Sequence, residues 1–126
     1  VEYNGDGAFG GHTAVKGYCD EEFNAIEATD DGYVAVGSSC SSNRDLKAVG
    51  NRGGADAVVV TFSNGGSLKS IQSYGGSRVD SFGGVCVLSD GQIIACGSTY
   101  SDNGDLIGSK YLSSGSASMG MIARFK

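Results

Sequence analysis

The sequence predicts an all-β fold built from two tandem four-stranded repeats of about 60 residues each. Its apolar residues occur in short runs or alternate with polar ones, which is typical of strands rather than helices. Its 126 residues include 22 glycines and no proline, which indicates many turns. Two apolar runs joined by an Asp-Gly turn, residues 74–97, have an earlier copy at 23–37. We therefore predict one all-β domain, residues 1–126, with internal repeats at 1–59 and 60–126.

Each repeat contains four predicted strands, A to D. Strand A (23–29) and strand B (33–38) are joined by an Asp-Asp-Gly turn, which favours a hairpin. A polar, glycine-rich loop, residues 39–54, follows strand B. Strand C (55–62) is a nearly continuous apolar run, as expected of a buried strand. Strand D (68–74) carries apolar residues among polar ones.

The remaining segments match parts of the same unit. Residues 1–3 and 8–15 match strands C and D, and residues 82–88, 93–96 and 118–125 match strands A, B and C. The order of strands along the chain is therefore C-D, A-B-C-D, A-B-C. An unpaired strand edge is a template for another chain, so we expect strand exchange between copies.

These glycine and turn signals resemble those of the bacterial β-propeller repeat known as the SBBP repeat. The matching positions are Gly75-Gly76, Asp80, Phe82, Asp90-Gly91, Gly97, Asp56-Ala57 and Asn64-Gly65. In that family each repeat supplies the four strands of one propeller blade, and its members are secreted or cell-surface proteins. The resemblance implies propeller-like blades and an extracellular or cell-surface location, and it brings no shared catalytic residues. Two departures are Gly17-Tyr18 in place of Gly-Gly and Met119-Gly120 in place of Asp56-Ala57.

Three architectures satisfy this pattern. A propeller ring typically needs about four to eight blades, and this sequence holds two repeats plus a strand. It is a piece of a longer propeller, a unit that other copies complete, or a small sandwich or barrel of another kind. The predicted function is an extracellular structural or adhesive module, which self-associates through edge strands or forms part of a larger propeller. Its predicted partners are other copies of itself or adjacent blades.

Composition argues against several other classes. The net charge of −5 disfavours nucleic acid and anionic membranes as partners. No apolar run approaches the roughly 20 residues that a membrane-spanning helix needs. The single histidine, His12, lies in a weak strand beside two glycines, and no glycine pair stands in a phosphate-loop context. We therefore predict no enzyme and no cofactor.

Four cysteines allow three pairings. Cys86 and Cys96 lie nearly opposite each other around the Asp90-Gly91 turn, and Cys19 and Cys40 flank the first hairpin more loosely. We predict the bonds Cys19–Cys40 and Cys86–Cys96. The alternative is free thiols that behave as small apolar residues. Disulfides would indicate an extracellular setting.

Two candidate binding sites lie in the loops. Asp102, Asn103 and Asp105 offer oxygen ligands for calcium, although the spacing of a calcium loop is absent and solvated turns are the alternative. Tyr18, Tyr100 and Tyr111 offer rings on which a sugar could stack, with amide and acidic groups nearby. A carbohydrate-binding, lectin-like module is therefore the second functional hypothesis. Its alternative is that these rings pack on neighbouring blades or lie in subunit contacts.

Overall fold

The computed structural model describes residues 2–3, 5–107 and 117–126. These residues form nine β-strands, which make two main antiparallel sheets and one short hairpin. The predicted all-β class is confirmed. In the described ranges, no helix has the length and apolar character needed to cross a bilayer.

Two sheets, here called sheet I and sheet II, contain most of the strands. Sheet I has the order β3 (Glu21–Thr29), β4 (Gly32–Ser39), β5 (Asp56–Ser63), β6 (Leu68–Tyr74). Sheet II has the order β7 (Asp80–Val87), β8 (Ile93–Thr99), β9 (Met119–Phe125). The hairpin pairs β1 (Glu2–Tyr3) with β2 (Phe9–Gly11). Each predicted strand overlaps one of these elements and extends at most one residue beyond it, except that the strand expected at 8–15 is reduced to Phe9–Gly11.

Both sheets carry an irregularity at the same place in their first hairpin. The register shifts between Phe23 and Ala25 in β3, and between Phe82 and Gly84 in β7. Opposite each shift stands a glycine. A Cβ at Gly37 would lie 1.8 Å from a backbone oxygen of β3, and a Cβ at Gly97 would lie 1.9 Å from one of β7. Only glycine allows the strands to approach this closely.

The two sheets pack face to face. We call the surface of sheet I that meets sheet II its front face. It is formed by buried Val34, Val36, Ala57 and Val59. The opposing surface of sheet II, its back face, contributes buried Phe82, Ala95 and Phe125. The Tyr74 ring joins the two sheets, because it meets the Phe125 ring edge-on at 5.1 Å. This contact contains the larger apolar core.

A second core lies on the back face of sheet I. Its buried members are Ala35, Val58, Val60 and Phe62 on the sheet and Leu46 above them. Leu46 belongs to a short 3-10 turn, Arg44–Leu46, in the long loop between β4 and β5. Val15 and Val49 pack against the same cluster. The polar loop predicted at 39–54 therefore does contribute apolar residues to a core.

One of the two predicted disulfides is confirmed. Cys19 and Cys40 are bonded, with their Cα atoms 5.5 Å apart. The prediction of a Cys86–Cys96 bond is wrong, because both are free and exposed. The turn at residues 88–92 sets Cys86 opposite Ile94 and Cys96 opposite Gly84, and the irregularity in β7 lies beyond both pairs. The two thiols are therefore diagonal neighbours rather than direct partners, a separation that a disulfide does not bridge without backbone movement.

Candidate interaction site

The front face of sheet II, the surface that points away from sheet I, is open to solvent. Because side chains alternate along a strand, Ile94, Cys96 and Ile122 point away from sheet I, while the residues between them pack against it. Ile122 is 80% exposed, whereas Val59, at the matching place in β5, is 3% exposed. Cys96 is exposed as well. The matching surface is therefore buried in sheet I and exposed in sheet II, which makes it a candidate contact site.

Part of the back face of sheet I is also open. Phe23 in β3 is 44% exposed and Ile26 is 65% exposed. Phe82, at the matching place in β7, is fully buried by sheet I. The local packing is otherwise alike, because Phe23 meets Phe62 edge-on at 6.3 Å and Phe82 meets Phe125 edge-on at 6.1 Å. The two open surfaces therefore correspond to the two halves of the contact that joins sheets I and II.

A hydrogen bond across the existing contact shows one of its polar components. Asn24, at the irregularity of β3, donates from Nδ2 to Ser81 Oγ at 3.1 Å and to the Phe82 carbonyl at 2.8 Å. The corresponding residue in β7 is Gly83, and no atom lies within 4 Å of a Cβ built there. A side chain at Gly83 would therefore fit on the open front face of sheet II, but the amide group that Asn24 supplies at the matching place is missing there.

A polar network fixes the loop edge of sheet I. Glu21 Oε1 accepts hydrogen bonds from the Ser39 hydroxyl, at 3.1 Å, and from the Ser41 hydroxyl. Ser41 Oγ in turn accepts from the Cys19 backbone N–H at 2.9 Å. These bonds tie the segment before β3 to the end of β4, beside the disulfide.

The same arrangement recurs at the loop edge of sheet II. Asp80 is completely buried and accepts from the Thr99 and Ser101 hydroxyls, the latter at 2.9 Å. Ser101 Oγ accepts from the Arg78 N–H at 3.0 Å. The backbone bond from the Tyr100 N–H to the Val79 carbonyl matches the bond from the Cys40 N–H to the Asp20 carbonyl in sheet I, where the disulfide is an additional link. Both sheets are therefore held by the same type of contact at their loop edges.

The long loop of each sheet is hydrogen-bonded to the segment that precedes that sheet. Asp45 Oδ2 accepts from the Lys16 N–H, and the Asp45 N–H donates to the Lys16 carbonyl. Asp105 makes the same reciprocal pair with Gly75. In both sheets the preceding segment is therefore held at the same place by an aspartate of the long loop.

Arg52 connects the long loop of sheet I with the long loop of sheet II, and it also pairs with a buried carboxylate. Arg52 donates to Asp56 Oδ2 at 2.9 Å and to Ser73 Oγ, and it forms an ion pair with Asp105 at 3.0 Å. The Asp56 side chain is 1% exposed, and its Oδ1 atom has no hydrogen-bond partner among the residues that the structure describes. Burial raises the pKa of Asp56 above its ordinary 3.8, and the hydrogen bonds and charge of Arg52 oppose this rise.

The residues predicted to bind calcium take part in loop contacts. Asn103 Oδ1 accepts from the Ser77 N–H at 2.8 Å, and Asp105 is paired with Gly75 and Arg52. Asp102 is exposed beside them. No group of three or more acidic, histidine or cysteine residues in the described ranges is arranged to hold a metal. These contacts favour the alternative interpretation, in which the side chains cap a turn.

The structure describes two of the three tyrosines predicted to bind sugars, Tyr18 and Tyr100. The Arg44 guanidinium lies 4.4 Å from the centre of the exposed Tyr18 ring and covers one of its faces. Tyr100 is partly exposed, and no ring contact joins it to Tyr18 among residues 5–107. Tyr111 lies outside the described residues. Carbohydrate binding stays a prediction from the sequence.

Comparison of the chain with protein-family models, with curated proteins and with solved structures gave no match. Physical features of the molecule alone therefore support the proposals that follow.

The residues of the open faces were not among the site residues predicted from the sequence. A signal was present, because Ile94 and Ile122 occupy the positions of Val34 and Val59 in the earlier copy. Which of two similar apolar runs is left uncovered depends on how the sheets stack.

The pairing of Arg52 with Asp56 makes a prediction about stability and pH. Arg52→Ala leaves the buried Asp56 carboxylate without its cation, so we expect the free energy of unfolding at pH 7 to fall by about 1–3 kcal/mol. Because the pKa of Asp56 is raised in the folded protein, protonation relieves the buried charge. The difference in the free energy of unfolding between wild type and Arg52→Ala should therefore shrink as the pH falls through the folded-state pKa of Asp56 towards 3.8.

Urea unfolding of wild type and variant at pH 7 and at pH 4 measures this effect. Arg44→Ala is the control, because Arg44 is an exposed arginine that stacks on Tyr18. A loss from Arg52→Ala that is the same at both pH values would contradict the assignment.

Proposed function

We propose that this chain is an extracellular structural module, made of propeller-like repeats, that self-associates through its open sheet faces. The single observation that carries the proposal is the exposure of a matched pair of apolar faces. Val59 and Phe82 are buried in the contact between the sheets, whereas Ile122 and Phe23 hold the matching positions and are exposed. Another copy supplies the missing half of each contact.

The matching hydrogen bonds support the assignment of the sheets as repeats. Glu21 and Asp80 accept from paired hydroxyls, and Asp45 and Asp105 clasp the preceding segments. The glycine opposite each irregularity recurs as well. Since these features recur about 60 residues apart, a common repeat is the simplest cause.

The cysteines support an oxidising location and a covered front face. A Cys19–Cys40 disulfide persists outside the reducing cytosol. Cys86 and Cys96 are exposed free thiols on the front face of sheet II. An exposed thiol is open to oxidation. A second sheet on this face protects Cys96, which holds the position of fully buried Val36.

Native mass by light scattering tests the proposal. We expect a discrete multiple of the 12.8 kDa chain mass that dissociates on dilution. Ile122→Asp places a charge on the open front face and should weaken association by roughly tenfold or more. Ile107→Asp is the matched control, because Ile107 is an isoleucine that is 82% exposed outside both faces. A monomer at about 100 µM, or equal effects of the two variants, would contradict the proposal.

A second variant should strengthen the association. Gly83→Asn restores, on the open front face, the amide that Asn24 uses across the existing contact. One added hydrogen bond should tighten association by roughly threefold to tenfold. Gly83→Ala, which adds a Cβ without the amide, is the control. If alanine and asparagine have the same effect on the dissociation constant, the open face does not form this contact.

A further inference from the structure

We propose that residues 9–15 of one copy form the fourth strand of sheet II of another copy. This inference rests on the proposed function and specifies the contact that it uses. It assigns an occupant to the outer edge of β9 and a register to the pairing. Four observations lead to it.

The first observation is that sheet II has one strand fewer than sheet I. β9 pairs with β8 as β5 pairs with β4, since Met121 stands opposite Gly97 and Val58 stands opposite Gly37. β6 covers the outer edge of β5. In the described residues no strand pairs with the outer edge of β9. Its unpaired backbone groups are a template for strand addition.

The second observation is that β2 already pairs in the required register. In sheet I, Thr61 stands opposite Ser70 and Phe62 opposite Leu68, with an irregularity between the two pairs. In the short hairpin, Glu2 stands opposite Gly11 and Tyr3 opposite Phe9, again with an irregularity between them. β2 is therefore related to β1 as β6 is related to β5.

The third observation is the position of this segment on its own sheet I. Val15 packs on the back face of sheet I, as Tyr74 at the end of β6 packs on the back face of sheet II. Lys16 and Gly75, the next residues, make the same reciprocal pair with Asp45 and Asp105. Residues 9–16 thus lie where the fourth strand of a preceding sheet would lie, and in the described residues only the two-residue β1 pairs with them.

The fourth observation is that β1 is a weak competitor. It contributes two residues to its hairpin, whereas β9 offers a strand of seven. Replacement of β1 by β9 of another copy extends the pairing along the whole segment. The same docking places the open front face of sheet II on the open back face of sheet I, so both surfaces are covered at once.

This arrangement fixes a register and a symmetry. With β9 in the place of β1, Phe125 stands opposite Phe9, Ile122 opposite Thr13, and Met121 opposite Ala14. The contact is head to tail, so it closes into a ring only if the rotation permits. Since closed propellers contain about four to eight blades and each copy supplies two sheets, we expect two to four copies.

Cysteine cross-linking between two chains tests the register. Both native free cysteines are changed to serine. One chain then carries Thr13→Cys and a second carries Ile122→Cys, both at exposed positions. After the chains are mixed in a glutathione redox buffer, we expect a disulfide-linked heterodimer. A second pair, Ala14→Cys with Met121→Cys, repeats the test on the other face of the strand.

The control is an off-register pair, Thr13→Cys with Arg124→Cys, which is displaced by two residues on the same face. Diagonal neighbours lie about 7–8 Å apart, too far for a disulfide. We expect the in-register pairs to cross-link at least about tenfold faster. Equal rates, or no cross-link in chains that light scattering shows to be assembled, would overturn the register and leave the proposed function standing. Monomeric chains would overturn both.

Discussion

The contact between the front face of sheet I and the back face of sheet II is the interaction on which this structure depends. A four-stranded sheet with apolar residues on both faces is stable in water only when both faces are covered. Val36 and Phe82 are buried in the contact between the two sheets, which covers one face of each sheet. Leu46 and Val15 cover part of the back face of sheet I. The front face of sheet II receives no comparable cover from the described residues, and it is the face to which we propose that another copy binds.

Polar contacts at the loop edge make the stacking specific. Buried Asp80 has hydroxyl donors from Thr99 and Ser101, and buried Asp56 has Arg52, so the cost of burying each carboxylate is offset locally. Because Arg52 also reaches Asp105, the loops of the two sheets share one charge network. These contacts orient the sheets, while apolar burial between them supplies the stability.

Local sequence patterns predicted the strands well. The bounds of strand D, 68–74, agree with β6, because a turn and a run of alternating residues bracket it. The repeat boundary predicted between residues 59 and 60 lies inside β5, since periodicity gives the length of a unit but not where a sheet begins. The Cys86–Cys96 bond was predicted wrongly, because the turn at 88–92 is centred on Asp90 rather than between Asp90 and Gly91, and this small difference decides which residues of the two strands face each other. The open faces depend on the stacking of whole sheets, which no local pattern specifies.

Thiol reactivity in the unmodified chain tests the central claim most directly. Cys96 holds the position of buried Val36, and Cys86 that of exposed Glu27 in β3. Brief alkylation over a concentration series, followed by peptide mass spectrometry, compares both cysteines in one sample. The account predicts that Cys96 loses reactivity as the chain assembles, while Cys86 stays reactive. Equal reactivity of the two cysteines at every concentration would contradict it.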